Sequence, residues 1–497
     1  MSSVGQQRVW GKAAVVQEVQ IQALTPERFV PLVGSEQVAR LEEAADVLRG
    51  LLGSASVWNV NSTAAGGGVA EMLQPLLAYA RGGGIDARWL VIEGDAEFFR
   101  ITKRLHNGFH GGAGDGGPLG DAERDHYAAV LRANAEELLA LVNEGDIVLL
   151  HDPQTAGLVQ AMIGAGAVTV WRSHIGSDRS NDLVERSWSF LRPFLTEAAG
   201  FVFSRTAYVP AWLDGDPRVH VIAPSIDPFS TKNQDMAPET VRSVLGHTGV
   251  IAADGERAHP SFVRRDGSPG RVDHLADIVR TGPAPGPETP LVVQVSRWDR
   301  LKDMQGLMEA FAEHVVAGSP AHLVLAGPNV SGVADDPEGA EVLNECYDAW
   351  RELPHAARAR IQLVCLPMAD IEENAAIVNA LQRHATVVVQ KSLAEGFGLT
   401  VAEAMWKATP VVASRVGGIQ DQIVDGEHGL LLADPGDHAE LGRALRRLLD
   451  DPSLAERLGS AGRCRVIERF LGNRHLTEYA EHFATLVRHA GSRLEPG

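Results

Sequence analysis

The densest chemical string in this sequence is KSLAEGFGLTVAEAMWKATPVVASRVGG, which begins at Lys391. A Val-rich run, TVVVQ, leads into a loop bearing Gly396 and Gly398, and the loop opens a helical stretch. Glu395 stands in the loop and Glu403 inside the helix. Carboxylates pair well with hydroxyls, so Glu395 can reach a sugar hydroxyl and Glu403 a ribose diol. The glycines let loop amides face a ligand, and the following helix N-terminus favours phosphate. A second string, VSRWDRLKD, places Arg297 and Lys302 where another strand gives way to a helix. Taken alone, such a pair reads as solvated surface charge. At the carboxyl end of a strand, two converging cations could hold a diphosphate and stabilise its charge as it leaves.

The first half carries two more sets. GGGVAEMLQPLLAYA, from Gly66, has glycines that end a strand and open a helix, either as an ordinary tight turn or as a ligand-contact loop. It lacks the G-x-G-x-x-G spacing of a dinucleotide fingerprint. HDPQ (151–154), WRSHIG (171–176) and FSRTAYVP (203–210) each follow a strand-like run. Three strand ends gathered at one sheet edge would make His151, Asp152, Gln154, Arg172 and His174 a polar wall for a hydroxyl-rich ligand. No Ser–His–Asp ordering, zinc-ligand spacing or hydrolase carboxylate pair stands out.

The elements that must position these residues are short apolar strands alternating with longer helical stretches. SASVWNV, RWLVIE, DIVLLH, VTVWRS, GFVFS and RVHVIA supply the first half, and LVVQVS, HLVLAG, IQLVCL, TVVVQ and PVVAS the second. Several are rich in Val, Ile and Leu without polar alternation, which predicts strands of parallel sheets buried on both faces. Alternating strands and helices predict doubly wound α/β domains. The expected organisation is an N-terminal Rossmann-like domain over 1–255, a Pro-, Gly- and charge-rich linker over 256–290, a C-terminal Rossmann-like domain over 291–470, and a closing helical segment over 471–497 that packs back on the first domain. HGGAGDGGPLGD (110–121) is expected as a flexible surface loop.

Composition narrows the classes. The chain has 497 residues, 45% hydrophobic and 22% charged, and a formal net charge of −19, which argues against nucleic acid as a partner because such binding rests on phosphate neutralisation by Lys and Arg. No run of about 18 apolar residues suggests a membrane span. The N-terminal residues lack the pattern of an export signal, and three cysteines without metal-ligand spacing fit a reducing compartment, so a cytoplasmic protein is expected.

The string from Glu395 to Trp406, with VSRWDRLKD upstream and VVASRVGGIQDQIVDGEHGLLL downstream, resembles the donor site of the family 4 (group 1) retaining glycosyltransferases. Together with GGGVAEML, WLVIEGDAEFFRITKRLHNGFHG, HDPQ, WRSHIG and PSIDPFSTKN, it resembles the trehalose glycosyltransferring synthases. The resemblance implies a GT-B fold: two Rossmann-like, doubly wound parallel-sheet domains facing each other across a cleft, the first on the acceptor side and the second on the donor side. It implies transfer of glucose from a nucleoside-diphosphate glucose to a sugar, free glucose being the expected acceptor. It implies no cofactor or metal, and small sugars and nucleotide sugars as the partners; homodimerisation stays open.

The resemblance also implies residue roles. Arg297 and Lys302 match the cations on the donor diphosphate, Glu395 the glutamate beside the transferred sugar, and Glu403 the ribose contact. Gly396, Phe397, Gly398 and Leu399 match the loop touching sugar hydroxyls and phosphate. Gly67 and Gly68 match the glycine loop closing from the opposite domain, and His174 the histidine lining the reaction centre. His174, Arg297, Lys302 and Glu395 are thus the expected catalytic set. Gly176 departs from the pattern, since relatives more often carry Asp there. A retaining trehalose phosphorylase and a transferase with another acceptor are the alternatives.

Overall fold

The computed structural model describes residues 16–64, 67–253, 259–330 and 337–492. The first lobe is built on a seven-stranded sheet: β1 (Val16–Val19), β2 (Val57–Asn61), β3 (Ala87–Ile92), β4 (Ile147–His151), β5 (Val168–Ser173), β6 (Gly200–Phe203) and β7 (Val219–Val221). Its spatial order is β1-β3-β2-β4-β5-β6-β7, parallel throughout except for β1, which runs antiparallel along β3. β2, β4, β5 and β6 are buried along their whole length, as their unbroken apolar runs require. Three helices of this lobe bear on the site: α1 (Val30–Leu52), α2 (Gly68–Gly82) and α3 (Ala96–Phe109).

The second lobe carries another seven-stranded sheet, of order β10-β13-β12-β11-β14-β15-β16. Its strands are β10 (Asp277–Val279), β11 (Leu291–Val295), β12 (His322–Pro328), β13 (Ile361–Leu366), β14 (Val387–Gln390), β15 (Val411–Ser414) and β16 (Leu430–Leu432). A hairpin of β8 (Ser261–Val263) and β9 (Pro269–Arg271) precedes it. Each sheet reverses its winding direction once, between β2 and β4 in the first and between β11 and β14 in the second. Ligands of open α/β sheets bind outside the strand ends at such switch points. The glycine loop and HDPQ follow β2 and β4; VSRWDRLKD and the Glu395 loop follow β11 and β14. The pattern of strands thus carries all four chemical strings to the two switch points.

The expected domain boundaries need correction. Helix α4 (Pro238–His247), inside the expected first domain, packs Val241, Val244 and Leu245 into one apolar core with Val293, Val324 and Val364 of the second sheet. The chain has therefore crossed lobes before Pro238. The stretch expected as a linker is also built into the second lobe where it is described. β10 pairs antiparallel with β13, Phe262 and Val272 are buried in the same core, and Arg264 pairs with Asp370 at 2.6 Å. Proline and charge hid these short strands, because three-residue edge strands carry almost no periodic signal. After Leu471 the chain returns: helix α6 (Gly472–Ser492) buries Ala480, Phe483 and Ala484 against Leu48, Leu73 and Leu77 of the first lobe. The outgoing and returning segments meet where the Ile226 amide donates to the Phe470 carbonyl at 2.9 Å. Among the described residues, no helix is long and apolar enough to cross a membrane.

Candidate active site

On the second lobe, the buried side chain of Gln294 at the end of β11 ties the two chemical loops together. Its Nε2 donates to the Lys302 carbonyl at 2.8 Å, and its Oε1 accepts the Lys391 amide at 2.9 Å. Asp299 caps the short turn Arg300–Lys302, accepting the Leu301 amide at 2.8 Å. Asp303 then adopts a left-handed backbone (φ 46°), caps the helix Met304–His314 and pairs with the fully buried Lys391 ammonium. These bonds fix Lys302 so that its Nζ lies 2.6 Å from Glu395 Oε2, which also accepts from Ser392 Oγ at 3.2 Å. Arg297 is half-exposed, 3.4 Å from Asp299. Lys302 and the first glutamate are therefore assembled at one switch point, with Arg297 on the loop that carries Lys302.

The loop that follows turns at Gly398 (φ 82°), which caps helix α5 (Leu399–Trp406). Phe397 is not a ligand contact through its side chain: it is 6% exposed and packs against Phe470, leaving only its backbone to the loop. Glu403 on α5 is buried; Oε1 lies 3.7 Å from Lys232 Nζ, and Oε2 has no partner among the described residues. Lys232 also bonds Glu71 in the first turn of α2 at 2.7 Å, so one ammonium links the helix after the glycine loop to the second glutamate. Beside them, burial pushes the Lys407 ammonium down to about 7, against the opposing pull of Glu403.

On the first lobe the expected polar wall divides into a front and a back. Arg172 is fully buried and does not face a ligand. Its Nε donates to His174 Nδ1 at 3.2 Å, and its other nitrogens reach Tyr479 and His475 of α6 and the Ile222 carbonyl. Since an arginine can only donate, His174 must carry its proton on Nε2 and give it to His151 Nδ1 at 2.9 Å. His151 in turn donates from Nε2 to Asn59 Oδ1 at 3.1 Å. His151, 2% exposed, thus also stands behind His174 rather than in the wall. Burial holds both imidazoles far below the ordinary range, and the Arg172 charge lowers them further. Asp152 keeps a left-handed backbone (φ 62°) uncommon for a residue with a side chain, and accepts the His174 amide at 2.8 Å. Burial pushes its carboxyl up to about 7. Gln154 is half-buried beyond it.

The lobes touch across the cleft. A Cβ placed on Gly396 would lie 3.2 Å from the His174 carbonyl oxygen, and one on Gly68 would lie 3.2 Å from Leu399 Cδ1. Gly67, with φ 83°, sits beside it, while Gly66 falls outside the described residues. Contacts that sequence reasoning missed reinforce this closure. Tyr208 Oη lies 2.9 and 2.6 Å from the Glu395 and Gly396 carbonyl oxygens. Asp178 accepts from the Gly417 amide and Gln420, and Arg205 bridges Asp178, the Gly417 carbonyl and Asp421. Gly176 leaves the space that the Tyr208 ring fills: a Cβ there would overlap it. FSRTAYVP had marked the region, but nothing in its letters says that Tyr208 crosses to the other lobe.

Residues 59–210 match the family model described as trehalose synthase, N-terminal domain, and 279–465 that of glycosyl transferases group 1. The chain is similar to a trehalose synthase of Pyrococcus horikoshii, 32% identical over 462 residues covering 92% of this chain and 95% of the relative. A trehalose synthase of Rubrobacter xylanophilus is 33% identical over the same shares. A trehalose phosphorylase of Pleurotus pulmonarius is 26% identical, covering 82% of this chain and 54% of that protein. In fold, a solved trehalose 6-phosphate synthase of Burkholderia multivorans superposes with a TM-score of 0.65 at 17% identity, covering 89% of this chain and 99% of that one. Fold and family matches together define a group 1 glycosyltransferase of the GT-B type. Within that class, the chain belongs to the trehalose synthase family and is a glycosyltransferase of trehalose metabolism.

Proposed function

We propose that the protein transfers glucose, with retention of configuration, from a nucleoside-diphosphate glucose to free glucose, giving trehalose. The observation that carries this reading is the set of groups meeting at the cleft: Lys302 on Glu395 in one lobe, with Arg297 on the loop that carries Lys302, and the His174 carbonyl against Gly396 on the other. In the reaction the bond from the sugar's anomeric carbon to the diphosphate oxygen breaks, and its electron pair leaves with the diphosphate. Arg297 and Lys302 stabilise that charge. The acceptor hydroxyl attacks from the same face, and its proton passes to an oxygen of the departing phosphate. No cofactor is needed beyond the donor. Asp152, Gln154 and His174 line the acceptor side, and the closed lobes exclude water that would hydrolyse the donor.

A nucleotide donor is favoured over inorganic phosphate by Glu403. Its Oε2 lacks a partner among the described residues, and a ribose hydroxyl would supply a donor as Lys232 shifts, whereas a phosphorylase has no ribose to hold. The test is a screen of nucleoside-diphosphate glucoses with free glucose, scored for trehalose and free nucleoside diphosphate. Glucose 1-phosphate formed from trehalose and phosphate, with no nucleotide-dependent synthesis, would replace this reading by a phosphorylase.

A further inference from the structure

Helix α3 ends in the cleft, and its last turn presents two histidines to the second lobe. His106 and His110 stack edge-on with ring centroids 5.0 Å apart. The Cε1 edge of the His110 ring lies 3.9 Å from where a Cβ on Gly396 would stand, close to the Lys302–Glu395 pair. The Nδ1 of His110 is buried without a hydrogen-bond partner among the described residues. In the neutral ring one nitrogen carries the proton and the other accepts, so Nδ1 is left unpaired in either tautomer. Burial brings the imidazole down to about 4, with Lys302 lowering it and Glu395 and Asp299 opposing, so the ring is neutral at pH 7. A buried polar nitrogen without a partner costs stability, and native proteins leave few of them.

A phosphate oxygen only accepts and so satisfies one tautomer, whereas a group that both donates and accepts satisfies either. A hydroxyl fits. We infer that His110 is a sugar-binding residue whose Nδ1 hydrogen-bonds one hydroxyl of the transferred hexose. The inference rests on the proposed donor site, since that reading puts the hexose over Gly396 and Glu395. It also gives the start of the glycine-rich stretch 110–121 a task other than that of a surface loop: the first residue of the loop is the one that reads the sugar.

A site built to hydrogen-bond a hydroxyl discriminates against a ligand lacking it, because the ring nitrogen is then buried unpaired. The experiment measures kcat/KM for the nucleoside-diphosphate glucose the wild type uses and for its four monodeoxy forms, in wild type, His110→Phe and His110→Asn. One deoxy donor should lose about ten- to a hundredfold with the wild type. With His110→Phe that same penalty should shrink to about twofold, the other three staying as they were. His110→Asn, which keeps an oxygen acceptor near the Nδ1 position, should retain most of it. A folded His110→Phe that shows every wild-type penalty unchanged would overturn the assignment; should that variant not fold, His110→Ala makes the same comparison. A wild type inactive with every nucleoside-diphosphate glucose refutes the proposed function itself, and this assignment with it.

Discussion

Arg172 shows how one side chain can act on a reaction centre it never faces. It is fully buried, and the geometry gives it a donor's role toward His174 Nδ1, toward His475 Nε2 at 3.4 Å and toward Tyr479. That single cation sets the tautomers of His174 and His475, the second then donating from Nδ1 to Ser225 Oγ at 2.8 Å. Lysine cannot reproduce a planar fork with several fixed N–H directions. Arg172→Lys should therefore lower kcat by roughly ten- to a hundredfold while leaving the donor KM within about twofold, since the cations proposed to hold the donor lie on the other lobe. Steady-state kinetics with donor varied at saturating acceptor checks this; a change confined to donor KM would contradict it. The sequence showed that Arg172 and His174 belong together, two residues apart after one strand, but not which of them meets the ligand. That depends on α6, whose His475 and Tyr479 lie some 300 positions downstream and carry no local signal.

At the scale of elements, the loop from Lys391 to Gly398 is held from both sides. Its own lobe grips it through Gln294 and Asp303, and the first lobe grips it through Tyr208. A Cβ on Gly417 would overlap the Glu395 carbonyl oxygen, so this stretch of the second lobe also approaches too closely for any side chain. Tyr208→Phe keeps the ring that fills the space at Gly176 and removes only the hydroxyl. The expected outcome is an intact fold, transfer about tenfold slower, and a larger share of donor lost to hydrolysis, because the loop is looser and the cleft admits water. The ratio of trehalose formed to nucleoside diphosphate released measures it; an unchanged ratio would mean the bonds to Glu395 and Gly396 do not hold the cleft shut. Strand identity, parallel pairing and the meeting of Lys302 with Glu395 were legible because long Val-rich runs leave few alternatives. The edge strands β1 and β10 and the crossing before Pro238 were not. Edge strands are short and half-exposed, and helix α4 looks the same in sequence whichever sheet it covers.

The whole molecule keeps an unusual number of imidazoles neutral by burying them, and this sets how stability responds to acid. Burial holds His106, His151, His174 and His475 far below the ordinary range, and brings His110 to about 4 and His482 to about 3. In the unfolded chain each titrates near 6.5. The native state therefore binds fewer protons between those limits, and the stability these groups contribute is present above pH 6.5 and lost as pH falls. Three carboxyls raised by burial, Asp152, Asp227 and Asp421, work the other way, favouring the folded state at low pH and losing that effect as pH rises through their folded values. The six histidines outnumber them, so the urea midpoint should fall steadily from pH 7.5 to 5.5. Each fully neutral histidine accounts for about 1.4 kcal/mol of that drop. His482 isolates one such contribution, because both of its ring nitrogens are buried without partners among the described residues and it lies beside His220 rather than in the cleft. His482→Phe removes two unsatisfied polar atoms and one titration. It should raise stability at pH 7.5 by about 1–3 kcal/mol and make the decline toward pH 5.5 shallower by about 1.4 kcal/mol. Urea unfolding of both proteins at the two pH values decides the matter: equal slopes would show that the ring takes up a proton while still folded, and a midpoint that rises on acidification would show that the carboxyls, not the histidines, govern the acid limb.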